Sequence, residues 1–178
     1  MSAAQPYLID LTGPHAPVAE VCALLRAAGG RPLLVGGCVR DALLGLPIGE
    51  IDIEVFGLGT RQVETALRRR FGIVTVGAAF GVTKVKDHPI DVSVPRRENR
   101  TGAGHRDFDV QADSTMTPKD AAERRDFTVN AILWDPATGE LIDPWGGVAD
   151  LQQKVFRHVS AKFSEDPLRV LRAMQFAA

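Results

Sequence analysis

No segment of this chain approaches the ~18 consecutive apolar residues of a membrane-spanning helix, so no membrane span is expected. The first residues, MSAAQPYLID, lack the basic and apolar regions of a secretory signal, which makes the cytoplasm the expected compartment. Cysteine is scarce. Cys22 and Cys38 are too few for a disulfide framework and match no zinc spacing, so both are expected to be small buried thiols. Net charge is also nearly absent, at −1. Without a general basic field, the segment alone is a poor holder of long nucleic acid. Basic residues do cluster locally, at Arg68 to Arg70, at Arg96, Arg97, Arg100, His105 and Arg106, and at Arg124 and Arg125. Internal repeats and low-complexity tracts are missing.

What is present suits a globular domain. Apolar residues make up 45% and charged residues 24% of 178 positions, enough for one domain, or one domain and the start of another. Periodicity predicts a helix from Pro17 to Ala28, a short strand from Leu33 to Val35 and a short helix from Val39 to Leu44. Glu50 to Phe56 alternates as a strand, with Ile51, Ile53 and Val55 on one face and Glu50, Asp52 and Glu54 on the other. A helix from Thr60 to Arg70 and strands over 73–76, 82–86 and 89–94 follow. Between Pro95 and Met116 periodicity disappears and a long loop is expected. Thr117 and Pro118 have the residue types of a helix cap and a first helical position. Helical character is expected again over 128–133, then short strands near 139–143 and 155–158. Ser164 can cap a last helix that holds Pro167 in its first turn.

Chemistry concentrates at four places. Carboxylates at i and i+2 of a strand share a face, so Glu50 and Asp52 can share a metal ion. Mg²⁺ favours such hard oxygen donors together with substrate phosphates. Asp91, on the polar face of a neighbouring strand, is the candidate third carboxylate. Glu54 lies on the Glu50–Asp52 face and is expected to form a salt bridge instead. Taken alone, an alternating acidic strand is commonplace. Second, Gly36 and Gly37 let backbone approach a phosphate closely at a helix start. Arg40 can reach the same phosphates, and Asp41 is expected to orient a neighbour or cap backbone. Third, Arg124, Arg125, Asp126 and Asn130 crowd a helix entrance. Fourth, Asp166, Arg169 and Arg172 fall near one face of the last helix, where acceptors and donors could match the edge of a base.

Four motifs occur in order: GGCVRDALLG followed by EID, IDVSVPRRE, RRDFTVNA and EDPLRVLRA. From about Leu33 onward the chain resembles the class II tRNA nucleotidyltransferases (CCA-adding enzymes) and bacterial poly(A) polymerases. That resemblance implies an α/β nucleotidyltransferase (polymerase beta-like) fold, with a mixed five-stranded sheet, packed helices and the start of a helical neck. It divides the chain into an N-terminal helical extension (1–32), a head domain (33–160) and a truncated neck (161–178). It implies that Gly36, Gly37 and Arg40 bind the triphosphate of ATP or CTP. Glu50 and Asp52 would carry Mg²⁺, with Asp91 a third catalytic acid. Arg125, Asp126 and Asn130 would shape the nucleotide site, while Asp166, Arg169 and Arg172 would read the base or hold its phosphates. The implied reaction is addition of nucleotides to an RNA 3′ end, foremost CCA or its terminal A on tRNA, with poly(A) addition as the alternative.

Position 50 departs from the family, which usually has Asp there. Glu moves the carboxylate by about 1.5 Å, and 1 Å errors can cost about 100-fold in rate. A catalytically silent nucleotide- or RNA-binding module is therefore the reading from another class.

Overall fold

The computed structural model describes residues 8–76, 81–100, 108–161, 163 and 172–174. Its centre is a seven-stranded sheet in the order β3-β4-β5-β2-β1-β8-β9. The strands are β1 (Arg31–Val35), β2 (Ile51–Phe56), β3 (Ile73–Val76), β4 (Val82–Val85), β5 (Ile90–Ser93), β8 (Leu133–Trp134) and β9 (Leu141–Ile142). The β2–β5 pair is parallel, and every other pair in the sheet is antiparallel. β6 (Arg96–Arg100) and β7 (Phe108–Ala112) form a separate two-stranded antiparallel sheet. The helices are α1 (Ala16–Ala27), α2 (Gly37–Leu43), α3 (Thr60–Leu67), α4 (Pro118–Glu123) and α5 (Gly147–Gln153), with 3₁₀ turns at Gly13–His15 and Thr128–Asn130. Among the described residues no helix is long and apolar enough to cross a membrane.

The sheet is mixed and packed with helices, as expected, but has seven strands rather than five. The two-residue strand β8 falls at the end of a segment expected to be helical. Two residues are too few to show a period. Leu133 and Trp134 become strand because they pair with Val35 and Leu34 of β1, a contact distant in sequence. The β6–β7 pair lies in the expected loop. RRENR is polar throughout and FDVQA alternates over only five positions, and backbone pairing needs no apolar pattern on both strands. The expected strand near 155–158 is reduced to one bridge, between Phe127 and His158.

Both faces of the sheet are buried near its centre. On one face, Val18, Val21, Cys22 and Leu25 of α1 and Val63 and Leu67 of α3 join Ile51, Ile53 and Val55 of β2. Leu33 and Val35 of β1 instead enter a second core with Met116, Ala121, Ala122, Ala131 and Leu133. The period of two divides β2 in the same way. Its polar residues, Asp52 and Glu54, face the side that α4 covers. Both cysteines are buried free thiols. Burial pushes Cys22 up to about 12 and Cys38 up to about 11, so neither is a reactive thiolate near neutral pH.

Thr117 caps α4 as its residue type predicts. Its Oγ1 accepts from the Asp120 backbone N–H at 3.2 Å, and Pro118 opens the helix. Asp143 caps α5 by accepting from the amides of Gly147 at 2.7 Å and Val148 at 2.9 Å.

Candidate functional site

The β1–β2 register sets the site. Val35 pairs with Asp52, so the turn that leaves β1 emerges beside this carboxylate. Gly36 makes that turn with φ +77° and ψ −133°, a conformation that favours glycine. A Cβ on Gly36 would lie 3.0 Å from Arg125 Nη1 and 3.8 Å from Asp52 Oδ2. The missing side chain thus keeps open the point where a cation and a carboxylate converge. Gly37 then starts α2, which carries Arg40 and Asp41.

Parallel pairing of β2 with β5 places Asp52 in register with Asp91, and side chains paired in register share a face. Antiparallel pairing of β5 with β4 places Lys84 in register with Asp91. Lys84 Nζ donates to Asp91 Oδ2 at 2.6 Å and to Glu50 Oε1 at 3.3 Å. Glu50 lies just before β2 and is exposed. Asp52 opens to solvent, yet its carboxyl is raised above the usual aspartate range. Burial by the site walls is the main cause; Glu50 and Asp91 add to it, while Arg125 and Lys84 oppose it.

A hard divalent cation fits these donors chemically, because it would relieve negative charge that now raises Asp52. The fold brings Asp52 and Asp91 together and turns Glu50 toward Lys84. Among the described residues, no three His, Cys, Asp or Glu side chains are gathered as a preformed metal cage.

A continuous chain of hydrogen bonds joins three of the sequence motifs. Asp41 Oδ1 accepts from Arg40 Nε at 2.9 Å and Nη2 at 2.7 Å, so Asp41 orients its neighbour, as expected. Arg40 Nη1 donates to Asn130 Oδ1 at 2.7 Å. Asn130 Nδ2 donates to Asp126 Oδ1 at 3.1 Å, and Arg172 Nε donates to Asp126 Oδ2 at 2.7 Å. Burial alone would raise Asp126. The hydrogen bonds from Arg172, Asn130 and the Phe127 amide outweigh it and hold the carboxyl below its usual range. Asp166 and Arg169, expected beside Arg172, lie outside the described residues.

Beneath Asp52, Glu54 is fully buried and pairs with Arg124 Nη2 at 2.5 Å and Arg125 Nη2 at 3.6 Å. This is the expected salt bridge, and it also holds Arg125 beside Gly36. Arg125 Nη1 donates to the Asn130 carbonyl at 3.4 Å. Lys84 was not among the sequence candidates. Its place on a strand is expected from the sequence, but its carboxylate partners appear only through the β4–β5 register.

A relative in Xylella fastidiosa (strain M23), named multifunctional CCA protein, is 48% identical over 145 residues, covering 82% of this chain and 34% of that protein. The chain thus spans about a third of the length of the curated relatives it matches. Among solved structures, the Bacillus stearothermophilus CCA-adding enzyme in complex with CTP matches with a TM-score of 0.76 and 30% identity, covering 93% of this chain and 39% of that one. The Thermotoga maritima CCA-adding enzyme complexed with tRNA CCA matches with a TM-score of 0.72 and 29% identity, covering 96% and 39%. The fold is therefore that of these nucleotidyltransferases. Residues 33–157 match the family model described as the poly A polymerase head domain, and the chain belongs to that family.

Proposed function

We propose that this chain is the catalytic head of a nucleotidyltransferase that moves nucleotides from CTP and ATP to the 3′ end of tRNA, building CCA or its terminal A. One observation carries the reading: Asp52, Arg125 and the Gly36 turn converge at one open point, and Arg40 is locked nearby by Asp41 and Asn130. Anionic phosphates and a carboxylate-bound cation are the chemistry this arrangement can hold. The resemblance to a CTP-bound and a tRNA-bound enzyme supports the same substrates.

In this reading Gly36, Gly37 and Arg40 receive the triphosphate, and Arg125 neutralises it beside Asp52. Asp126 and Asn130 keep Arg40 and Arg172 in place. Asp166, Arg169 and Arg172 read the base. Glu50, Asp52 and Asp91 would hold Mg²⁺, which would supply charge neutralisation and activate the 3′-hydroxyl. The 3′ oxygen bonds to the α-phosphorus, the α–β phosphoanhydride bond breaks, and pyrophosphate leaves while the hydroxyl proton is released. The protein contributes positioning and fixed charge.

The test is incorporation of α-labelled CTP and ATP into tRNA ending before CCA, with nucleotide binding measured in parallel. Mg²⁺-dependent addition that stops at CCA or A supports the proposal, whereas a growing run of A favours poly(A) addition. Binding without transfer, with transfer appearing in Glu50→Asp, favours a silent nucleotide-binding module. Failure to bind either nucleotide overturns the proposal.

A further inference from the structure

Three strands place Lys84, Asp91 and Asp52 in one cross-strand row. The β4–β5 register aligns Lys84 with Asp91, and the β5–β2 register aligns Asp91 with Asp52. Neighbouring strands lie about 4.8 Å apart, so the lysine stem can carry its ammonium over the acidic row. It does so: Nζ is 2.6 Å from Asp91 Oδ2 and 3.3 Å from Glu50 Oε1. Thr83 and Val85, which alternate with Lys84, are buried on the opposite face. The strand pattern therefore commits Lys84 to the acidic side.

Glu50 completes this arrangement. A carboxylate one methylene shorter would reach less far toward the ammonium, which Glu50 Oε1 meets at 3.3 Å. The extra length of Glu50, the departure from the family pattern, coincides with a contact to Lys84.

We infer that Lys84 is a built-in counter-ion of the acidic site and a positioning residue that competes with the divalent cation for Glu50 and Asp91. This rests on the metal-dependent reading proposed above. Cation entry requires the ammonium to leave the two carboxylates, so Lys84 weakens metal binding while keeping the carboxylates together in the metal-free protein. Lys84 pairs with Asp91 and Glu50, so its effect falls on the metal rather than the triphosphate.

The experiment measures Mn²⁺ binding to the whole chain by electron paramagnetic resonance, for the native protein and for Lys84→Met, Lys84→Arg and Asp52→Asn. Each exposed ion pair corresponds to roughly a one- to fivefold effect. With two pairs removed, Lys84→Met is expected to bind Mn²⁺ about three- to tenfold more tightly. Lys84→Arg, which keeps the charge, is expected to bind like the native chain. Thermal unfolding of each variant identifies any that fail to fold; Lys84 is nearly half exposed, and Met preserves its stem. Unchanged or weaker binding in Lys84→Met, with Asp52→Asn still reducing the native affinity, overturns this inference and leaves the metal-dependent reading standing. No Mn²⁺ binding by any of the four proteins overturns both.

Discussion

Glu54 and Arg124 form an ion pair of 2.5 Å in which the carboxylate has no solvent exposure. Two residues away on the same strand face, Asp52 remains open. One strand thus supplies a structural acid and a site acid, separated only by where α4 and the segment after it cover the sheet.

Replacing Glu54 with alanine would leave Arg124 and Arg125 without their shared buried anion. Breaking a buried pair in this way costs about 3–5 kcal/mol, measurable by urea denaturation. Because Arg125 is held beside Gly36 by the same carboxylate, CTP affinity should fall as well.

Glu54 also predicts an acid response. Burial would raise its carboxyl, but Arg125 and Arg124 prevail and hold it below the usual glutamate value of 4.5. A depressed carboxylate contributes stability above its unfolded value and loses it as pH falls through the folded one. The native melting temperature should therefore decline below about pH 4.5. This decline should be shallower in Glu54→Gln, read by calorimetry from pH 7 to 3.

Asp52 has the opposite sign. Its carboxyl is raised, chiefly by burial and further by Glu50 and Asp91. Its ionisation therefore opposes folding once the pH rises past its unfolded value. Asp52→Asn should raise the melting temperature at pH 7 and lower nucleotide transfer by at least about 100-fold, the scale of losing one preorganised electrostatic group. A variant that is destabilised yet fully active would contradict both the site and its electrostatics.

Asn130→Ala removes the acceptor that holds Arg40 Nη1 at 2.7 Å and the donor to Asp126. Arg40 keeps Asp41 as a partner, so the fold should survive. Loss of one charge-assisted hydrogen bond is worth about 1.5–3 kcal/mol, and CTP binding measured by calorimetry should weaken by about tenfold or more.

Gly147→Ala tests a close approach behind the turn that carries Asn130. A Cβ there would run into the Thr128 carbonyl where α5 meets the 3₁₀ turn. Overpacking against backbone should cost about 1–3 kcal/mol, read as a lower urea midpoint. CTP affinity should fall as well, because the same 3₁₀ turn carries Asn130, which accepts from Arg40 and Arg125.

Local rules in the sequence determined much of this protein. The alternation of β2 separated Ile51, Ile53 and Val55 from Asp52 and Glu54. Thr117 and Pro118 marked the start of α4, and Asp41 was identified as a partner rather than a ligand. These features depend on neighbours a few residues away, where side-chain chemistry and backbone period are legible. Tertiary structure decided which distant groups meet: Leu133 and Trp134 became strand by pairing with β1, Arg125 reached Gly36 through Glu54, and Lys84 came to lie over Asp91 and Glu50. The physical reason is register. Contacts between strands depend on pairings across long stretches of chain, and a slip of one residue would turn Lys84 to the opposite face.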